Sequence, residues 1–425
     1  MKKNIFFILL FFVKNLFAQY GCMDPQASNY NATATINDGS CIYPATNYSL
    51  IIKDTLQNSL QEISGMVYFN GKIYAQNDSG NPHTIFEIDT LTGIITKEIY
   101  LQGISNIDWE DITQDNTHFY IGDIGNNAGD RTDLRIYKFA KNVIGANYND
   151  TIFSNQIEVI HFSYPDQINF LPAQNNTPFD CEALAFKNNK LHLFTKNWTG
   201  TFSVHYTIPT TAGTYIATKI DSLNTQNILI TGADFASNKA LMLIGYQSTG
   251  AANCGLWFIT NFDNTDSFFL KGNKRKIDIG SAISVGQVEG ICFADSLHGF
   301  ASNERFNPIA QVDVSQKLYG FQSDVWYPYS INTSVKDAEQ NLENFIAFAK
   351  NNSIYVSFFS KKEDNYTVQI FSHKGKKIRE KNFRGSVGTQ TFSLDNLEIG
   401  SGIYYVILLN KFGNKKINRL FFENR

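Results

Sequence analysis

A short pattern that returns five times limits what this chain can fold into more than any other feature. Its plainest copy is Asp180-Cys181-Glu182-Ala183-Leu184-Ala185-Phe186, followed by Lys190-Leu191-His192-Leu193-Phe194-Thr195. It reads as a short strand opening on an acid, a polar turn and a second strand running back. The other copies lead with Ser64-Gly65-Met66-Val67-Tyr68, Glu110-Asp111-Ile112-Thr113, Thr231-Gly232-Ala233-Asp234-Phe235 and Glu289-Gly290-Ile291-Cys292-Phe293. Lead positions 64, 110, 182, 231 and 289 stand 46, 72, 49 and 58 residues apart, enough for about four strands each. Repeats of that length built from alternating segments predict propeller blades instead of a helical solenoid. The expected fold is therefore all-β: a five-bladed β-propeller over 46–335, followed by a small C-terminal β-sandwich over 336–425. Six blades are the alternative, because the 72-residue gap has room for an unmarked one. Strands near 135–139 and 157–164 account for that gap as the outer strands of the second blade. Segment 48–52 precedes the first lead strand and is placed to pair with the last blade and seal the ring.

Composition supports this reading, since Phe, Tyr, Ile and Thr are abundant, 14% of residues are aromatic, and no long amphipathic helix is legible. Residues 1–18 carry two lysines, an apolar run over 5–13 and Leu16-Phe17-Ala18, the pattern of a secretory signal peptide. The run is too short to span a bilayer, and no later stretch is long enough, so no transmembrane segment is expected in the mature chain. Of five cysteines, Cys22 and Cys41 bracket the small segment 19–45 and are the expected disulfide. Cys181 and Cys292 either meet near the axis or remain buried thiols together with Cys254.

Equivalent positions on the innermost strands of a propeller converge on one ring, here Ser64, Glu110, Glu182, Thr231 and Glu289. Three carboxylates facing one another need a cation or protons between them. Oxygen-only donors, without His or Cys, favour Ca²⁺ over Zn²⁺. The alternative is that these acids accept hydrogen bonds from neighbouring backbone amides. Residues 13 to 16 positions further on surround the mouth of the ring, among them Asp78, Asp123, Lys196, Tyr246, Glu304 and Arg305. Two functions are then open. One is binding of an extracellular ligand, with calcium as a pin. The other is calcium-dependent hydrolysis of a phosphoanhydride or phosphoester, with Asp78 or Asp123 as base and Lys196 and Arg305 holding charge. No Ser-His-Asp arrangement is legible, because His161, His192 and His205 sit in strand patterns.

Three resemblances extend this reading. The segment Gly21-Cys22-Met23-Asp24-Pro25-Gln26-Ala27-Ser28-Asn29-Tyr30-Asn31, closing on Asp38-Gly39-Ser40-Cys41, resembles a cysteine-bracketed repeat of secreted bacterial surface proteins. Past residue 336, the stretches Val368-Gln369-Ile370-Phe371, Gly402-Ile403-Tyr404-Tyr405-Val406 and Lys415-Lys416-Ile417 resemble the C-terminal sorting domain of the type IX secretion system. That resemblance implies secretion machinery as the partner of 336–425 and a secreted or cell-surface destination. The tail carries 15 basic against 9 acidic residues, dispersed among strands and not clustered, which argues against a nucleic-acid patch.

The third concerns the repeats. Glu62-Ile63-Ser64 continuing through Val67-Tyr68-Phe69-Asn70-Gly71-Lys72-Ile73-Tyr74, with Trp109-Glu110, Glu182 and Val288-Glu289-Gly290-Ile291, resembles the calcium-activated nucleotidase (apyrase) family. It implies a five-bladed propeller with an axial Ca²⁺ held at Ser64, Glu110, Glu182 and Glu289, Thr231 standing where a serine is expected. Asn77-Asp78-Ser79-Gly80 and Thr195-Lys196-Asn197-Trp198 depart from that family's phosphate-facing basic residues, so the resemblance supports fold and metal more than nucleotide hydrolysis.

Overall fold

The computed structural model describes residues 18–236, 240–249, 252–309, 311–327, 342–350, 353–360, 363–372, 376–395, 397, 399–410 and 415–422. Residues 1–17, which carry nearly all of the expected signal peptide, and the expected domain junction at 335 lie outside them. The chain divides into two compact units, Met1–Ser330 and Ile331–Arg425.

The first unit is built from five antiparallel sheets of four principal strands each, laid down in chain order. The first sheet is Ile63–Phe69, Lys72–Asn77, Thr84–Asp89 and Ile95–Leu101; the second is Trp109–Gln114, His118–Asp123, Arg135–Ala140 and Ile157–Ser163. The third is Cys181–Lys187, Lys190–Thr195, Phe202–Pro209 and Thr218–Asn224; the fourth is Leu229–Ala236, Ala240–Tyr246, Asn253–Thr260 and Asn273–Ser281. In the fifth, Gln287–Phe293, His298–Glu304 and Lys317–Gln322 are completed by Ile51–Thr55 from near the start of the unit, antiparallel to Lys317–Gln322. The sealing strand thus lies a few residues after the expected 48–52. Asn47 and Tyr48 instead pair with Asp278 on the outer strand of the fourth sheet. The leading strand of every sheet is an edge strand, and each lies against the leading strands of two other sheets.

The long second interval needs no extra sheet. Its strands 135–140 and 157–163 are the outer strands of the second sheet, as expected, and the surplus residues include Asn149–Ile152, which runs parallel to Ile95–Leu101 of the first sheet. In the same way Gly213–Ile216 from the third span extends the second sheet. Each added strand covers an outer edge that would otherwise present unpaired amides.

Apolar side chains fill the spaces between successive sheets. Val67, Tyr74, Trp109, Phe119, Ile121 and Phe139 pack between the first and second, while Leu184, Leu193, Tyr120, Ile136 and Tyr206 pack between the second and third. Alternation along each strand puts one row of side chains into each interface.

Cys22 and Cys41 form the expected disulfide, with Cα atoms 4.8 Å apart, and Cys181, Cys254 and Cys292 are separate buried thiols. The segment they close is docked on the fourth sheet. Arg275 lies with its guanidinium carbon 4.1 Å from the centre of the Tyr43 ring and donates to Gln26 Oε1 at 2.6 Å; Gln26 in turn donates to the Tyr327 carbonyl at 2.7 Å. Asp24 is fully buried and accepts the Tyr43 hydroxyl at 2.5 Å.

In the second unit, Leu342–Lys350, Ser353–Ser360 and Gly388–Leu394 form one sheet, and Lys377–Gly385, Asp364–Ser372, Gly402–Asn410 and Lys415–Phe422 another. They share a core that includes Ile354, Val356, Phe358, Val368, Ile370, Val406 and Leu408. Among the described residues no helix is long and apolar enough to cross a membrane.

Candidate functional site

Each of the five leading strands breaks register with its neighbour at the same point. The irregularities fall between Ile63 and Met66, Trp109 and Ile112, Cys181 and Ala183, Ile230 and Gly232, and Val288 and Ile291. The residues inside these bulges include Ser64, Glu110, Glu182, Thr231 and Glu289, the five predicted ring positions, and all five are buried. A bulge takes a side chain out of the alternating pattern and re-aims it.

The residue after each lead position governs how closely the strands approach. A Cβ on Gly65 would stand 2.5 Å from Asp111 Cα, one on Gly232 2.4 Å from the Glu289 carbonyl oxygen, and one on Gly290 2.5 Å from that of Ser64. Asp111 takes the corresponding position in the second sheet. Its carboxylate accepts from the Leu184 amide at 2.9 Å and lies 3.4 Å from the Ala233 amide, tying together three leading strands.

The hydroxyls of the ring serve the backbone. Ser64 Oγ donates to the Glu110 carbonyl at 2.5 Å, where Gln76 Nε2 also donates at 3.1 Å, and Thr231 Oγ1 donates to the Val288 carbonyl at 2.9 Å. The carboxylates gather differently. Oxygens of Asp78, Asp108 and Glu110 lie within 4.8 Å of one another, as do those of Glu110, Asp180 and Glu182, so Glu110 belongs to both groups. Lys196 Nζ donates to both oxygens of Glu182, at 2.6 and 2.5 Å, with its ammonium 5.0 Å from the Trp198 ring centre and 5.2 Å from that of Tyr246. Asp180 accepts from the Asn126 amide at 2.6 Å and from Trp198 Nε1 at 2.7 Å. Gln287 Nε2 bridges Glu289 at 2.8 Å and Glu304 at 3.0 Å. The loop at Gly125 presses on the cluster, since a Cβ there would fall 2.1 Å from Glu110 Oε1 and 2.4 Å from Asp108 Oδ2.

Crowding of acids out of water resists ionisation. Burial, with Glu182, Asp78 and Asp108 nearby, holds Glu110 well above the carboxylate range; burial raises Glu182 and Glu289 likewise. Asp108 is pushed up to about 7 by burial and by Asp78 and Asp180, and Glu304 to about 8 by burial and Asp78. Burial works against the charge on Lys196, yet Glu182 and its acidic neighbours outweigh it and hold the ammonium well above its ordinary range.

Of the predicted mouth residues, Asp78 joins the cluster. Asp123 lies beneath it, fully buried between Arg131 Nη2 at 2.8 Å and Arg135 Nε at 3.2 Å, and accepts the Asp108 amide at 3.1 Å. Arg305 turns to Asp313, with hydrogen bonds of 2.9 and 2.7 Å. Lys196 is engaged by Glu182, so neither proposed charge-holding residue presents an unpaired cation. Asp108 and Asp180 are site residues the ring argument passed over. Their signal was available: each is an acid two residues before a ring glutamate, just ahead of the leading strand that carries it.

Residues 350–422 match the family of secretion system C-terminal sorting domains. No curated protein matches the chain. Among solved structures, the PQQ-bound aldose sugar dehydrogenase of Streptomyces coelicolor is 12% identical over 65% of this chain and 99% of its own, with a TM-score of 0.37. A bifunctional GH43-CE protein of Bacteroides eggerthii is 11% identical over 88% of this chain and 53% of its own, with a TM-score of 0.32. Likenesses this distant assign no activity here.

Proposed function

We propose that this type IX secretion cargo, destined for the cell exterior or surface, carries a five-bladed β-propeller whose acidic face holds Ca²⁺ and binds an extracellular ligand. The cyclic abutment of five leading strands supports the propeller reading. The charge balance of the cluster carries the cation reading. Lys196 neutralises Glu182, and among the described residues no comparable partner serves Asp78, Asp108 and Glu110. Among the described residues, two buried side-chain oxygens on the adjoining strand, Gln76 Oε1 and Asn77 Oδ1, have no hydrogen-bond donor. Orphaned acceptors beside crowded carboxylates suit a hard cation better than they suit one another.

Asp78, Asp108 and Glu110 would hold the ion, off the centre of the ring on the side of the first two sheets. When bound, calcium neutralises these acids and can polarise a ligand oxygen. Binding is favoured over phosphate-ester hydrolysis because Lys196 and Arg305 are engaged by carboxylates, leaving a polyphosphate without its clamps.

The test is calorimetric titration of the chain with CaCl₂, alone and as Asp108→Asn and Glu110→Gln. Saturable binding weakened in both variants is expected; wild-type affinity in both, or no binding at all, would overturn the cation site. A parallel phosphate-release assay on nucleoside diphosphates separates the functions: calcium-dependent turnover abolished by Glu182→Gln would replace binding with hydrolysis.

A further inference from the structure

The leading strands run from the acidic cluster to a second set of turns, roughly 17 Å away for a five-residue advance. Two cavities, about 720 and 620 Å³, open there. Both are lined by Phe69, Asn70, Asn116 and Lys141, so they form one groove with Lys141 on its dividing ridge. Each by itself falls in the size range of small-ligand sites.

Three lysines, Lys97, Lys141 and Lys187, line this end beside two acids, Asp115 and Asp234. Lys141 Nζ donates to Gln114 Oε1 and to the Asp115 carbonyl, both at 2.6 Å, and lies 4.2 Å from the centre of the Phe69 ring. Lys97 Nζ donates to the Gly145 carbonyl. These acceptors are neutral, and neither ammonium forms an ion pair among the described residues. The nearby acids are already served. Asp115 accepts from the Thr117 and His118 amides and the Tyr120 hydroxyl, and Asp234 accepts from the Phe235 and Phe293 amides. Burial draws Lys141 down to about 8, so an anion placed against it would restore what burial removes.

We propose that this groove is a second ligand site, built for a sugar ring bearing an oxyanion. Lys141 and Lys97 would meet the carboxylate or sulfate, the exposed carboxamides of Asn70 and Asn116 the hydroxyls, and Phe69 the apolar face of the ring. An acidic peptide would satisfy the lysines but would leave the amide rim without the paired hydroxyls it fits.

Calorimetry on the full chain tests it with trigalacturonate, a lactose monosulfate that carries no carboxylate, neutral maltotriose and a short poly-glutamate peptide. The two acidic sugars distinguish carboxylate from sulfate. At least one should bind about tenfold or more tightly than maltotriose and the peptide, the worth of one charge-assisted contact. Lys141→Met should weaken that binding by a similar factor, and Lys141→Arg should largely restore it, which a general loss of folding would not do. Asp108→Asn and chelation of calcium should leave it unchanged, so failure here and failure of the calcium site are separately visible. No binding of either acidic sugar, equal binding of maltotriose or the peptide, or an unaffected Lys141→Met would overturn the proposal.

Discussion

Replacing Lys196 with methionine isolates the electrostatics of the acidic face. The ammonium touches both oxygens of Glu182 at 2.6 and 2.5 Å, with side-chain exposures of 6% and 5%, so water cannot substitute for it. Methionine keeps most of the stem's packing against Trp198 and Tyr246 and removes only the charge. Glu182 then stands beside Asp180 and Glu110 without compensation. Breaking a buried pair from one side costs about 3–5 kcal/mol. Urea denaturation followed by tryptophan fluorescence is a direct readout, since Trp198 lies against the lysine. The double variant Glu182→Gln/Lys196→Met should recover much of the loss, because the pair is then removed as a whole. The pH dependence has a definite sign. In the variant Glu182 loses the cation that favours its ionised form and keeps the burial and the neighbouring Asp180 that oppose it, so the folded state holds a proton that the unfolded chain releases, and stability falls as pH rises above the ordinary carboxylate range. The single variant should therefore lose least in mild acid. Calcium should stabilise it by up to about 2.7 kcal/mol at a hundredfold excess over Kd. A loss under about 1 kcal/mol, against the 3–5 expected of a buried pair, or a double variant no better than the single, would refute the argument that Lys196 acts as an internal cation.

Three further outcomes can be checked. Gly125→Ala places a methyl group 2.1 Å from Glu110 Oε1, so it should cost about 1–3 kcal/mol in a denaturant titration and weaken calcium binding; wild-type behaviour would show that the loop is not pressed on the cluster. Opening the Cys22–Cys41 bridge as a double serine variant releases a closure of 19 residues and should lower unfolding stability by about 3 kcal/mol, with Arg275→Ala reproducing part of the loss through the docked face. His192, held down to about 3 by burial and by His205, makes stability fall as pH drops below 6.5, by up to about 1.4 kcal/mol per pH unit; His192→Gln should flatten that acid limb of the pH–stability curve, and an unchanged limb would place the acid sensitivity elsewhere.

Much of the architecture could be read from the chain, because a strand that starts on an acid and buries alternate residues leaves the same trace wherever it recurs. Glu110, Glu182 and Glu289 were legible for that reason, Ser64 and Thr231 from the strand pattern that follows them, and all five lie in bulges of the leading strands. Strand Lys377–Gly385 was not legible: most of its residues face solvent, and charge on both sides erases the alternation. Arg305 could not be assigned from its repeat position, since a flexible cation takes whichever acid lies in reach, here Asp313. The docking of Asp24 and Gln26 on Arg275 likewise joins residues about 250 positions apart. Local pattern determined where the five leading strands begin. Tertiary closure decided which acids share one space and which of them already own a cation, because Coulomb energy depends on distance through the protein and not on distance along the chain.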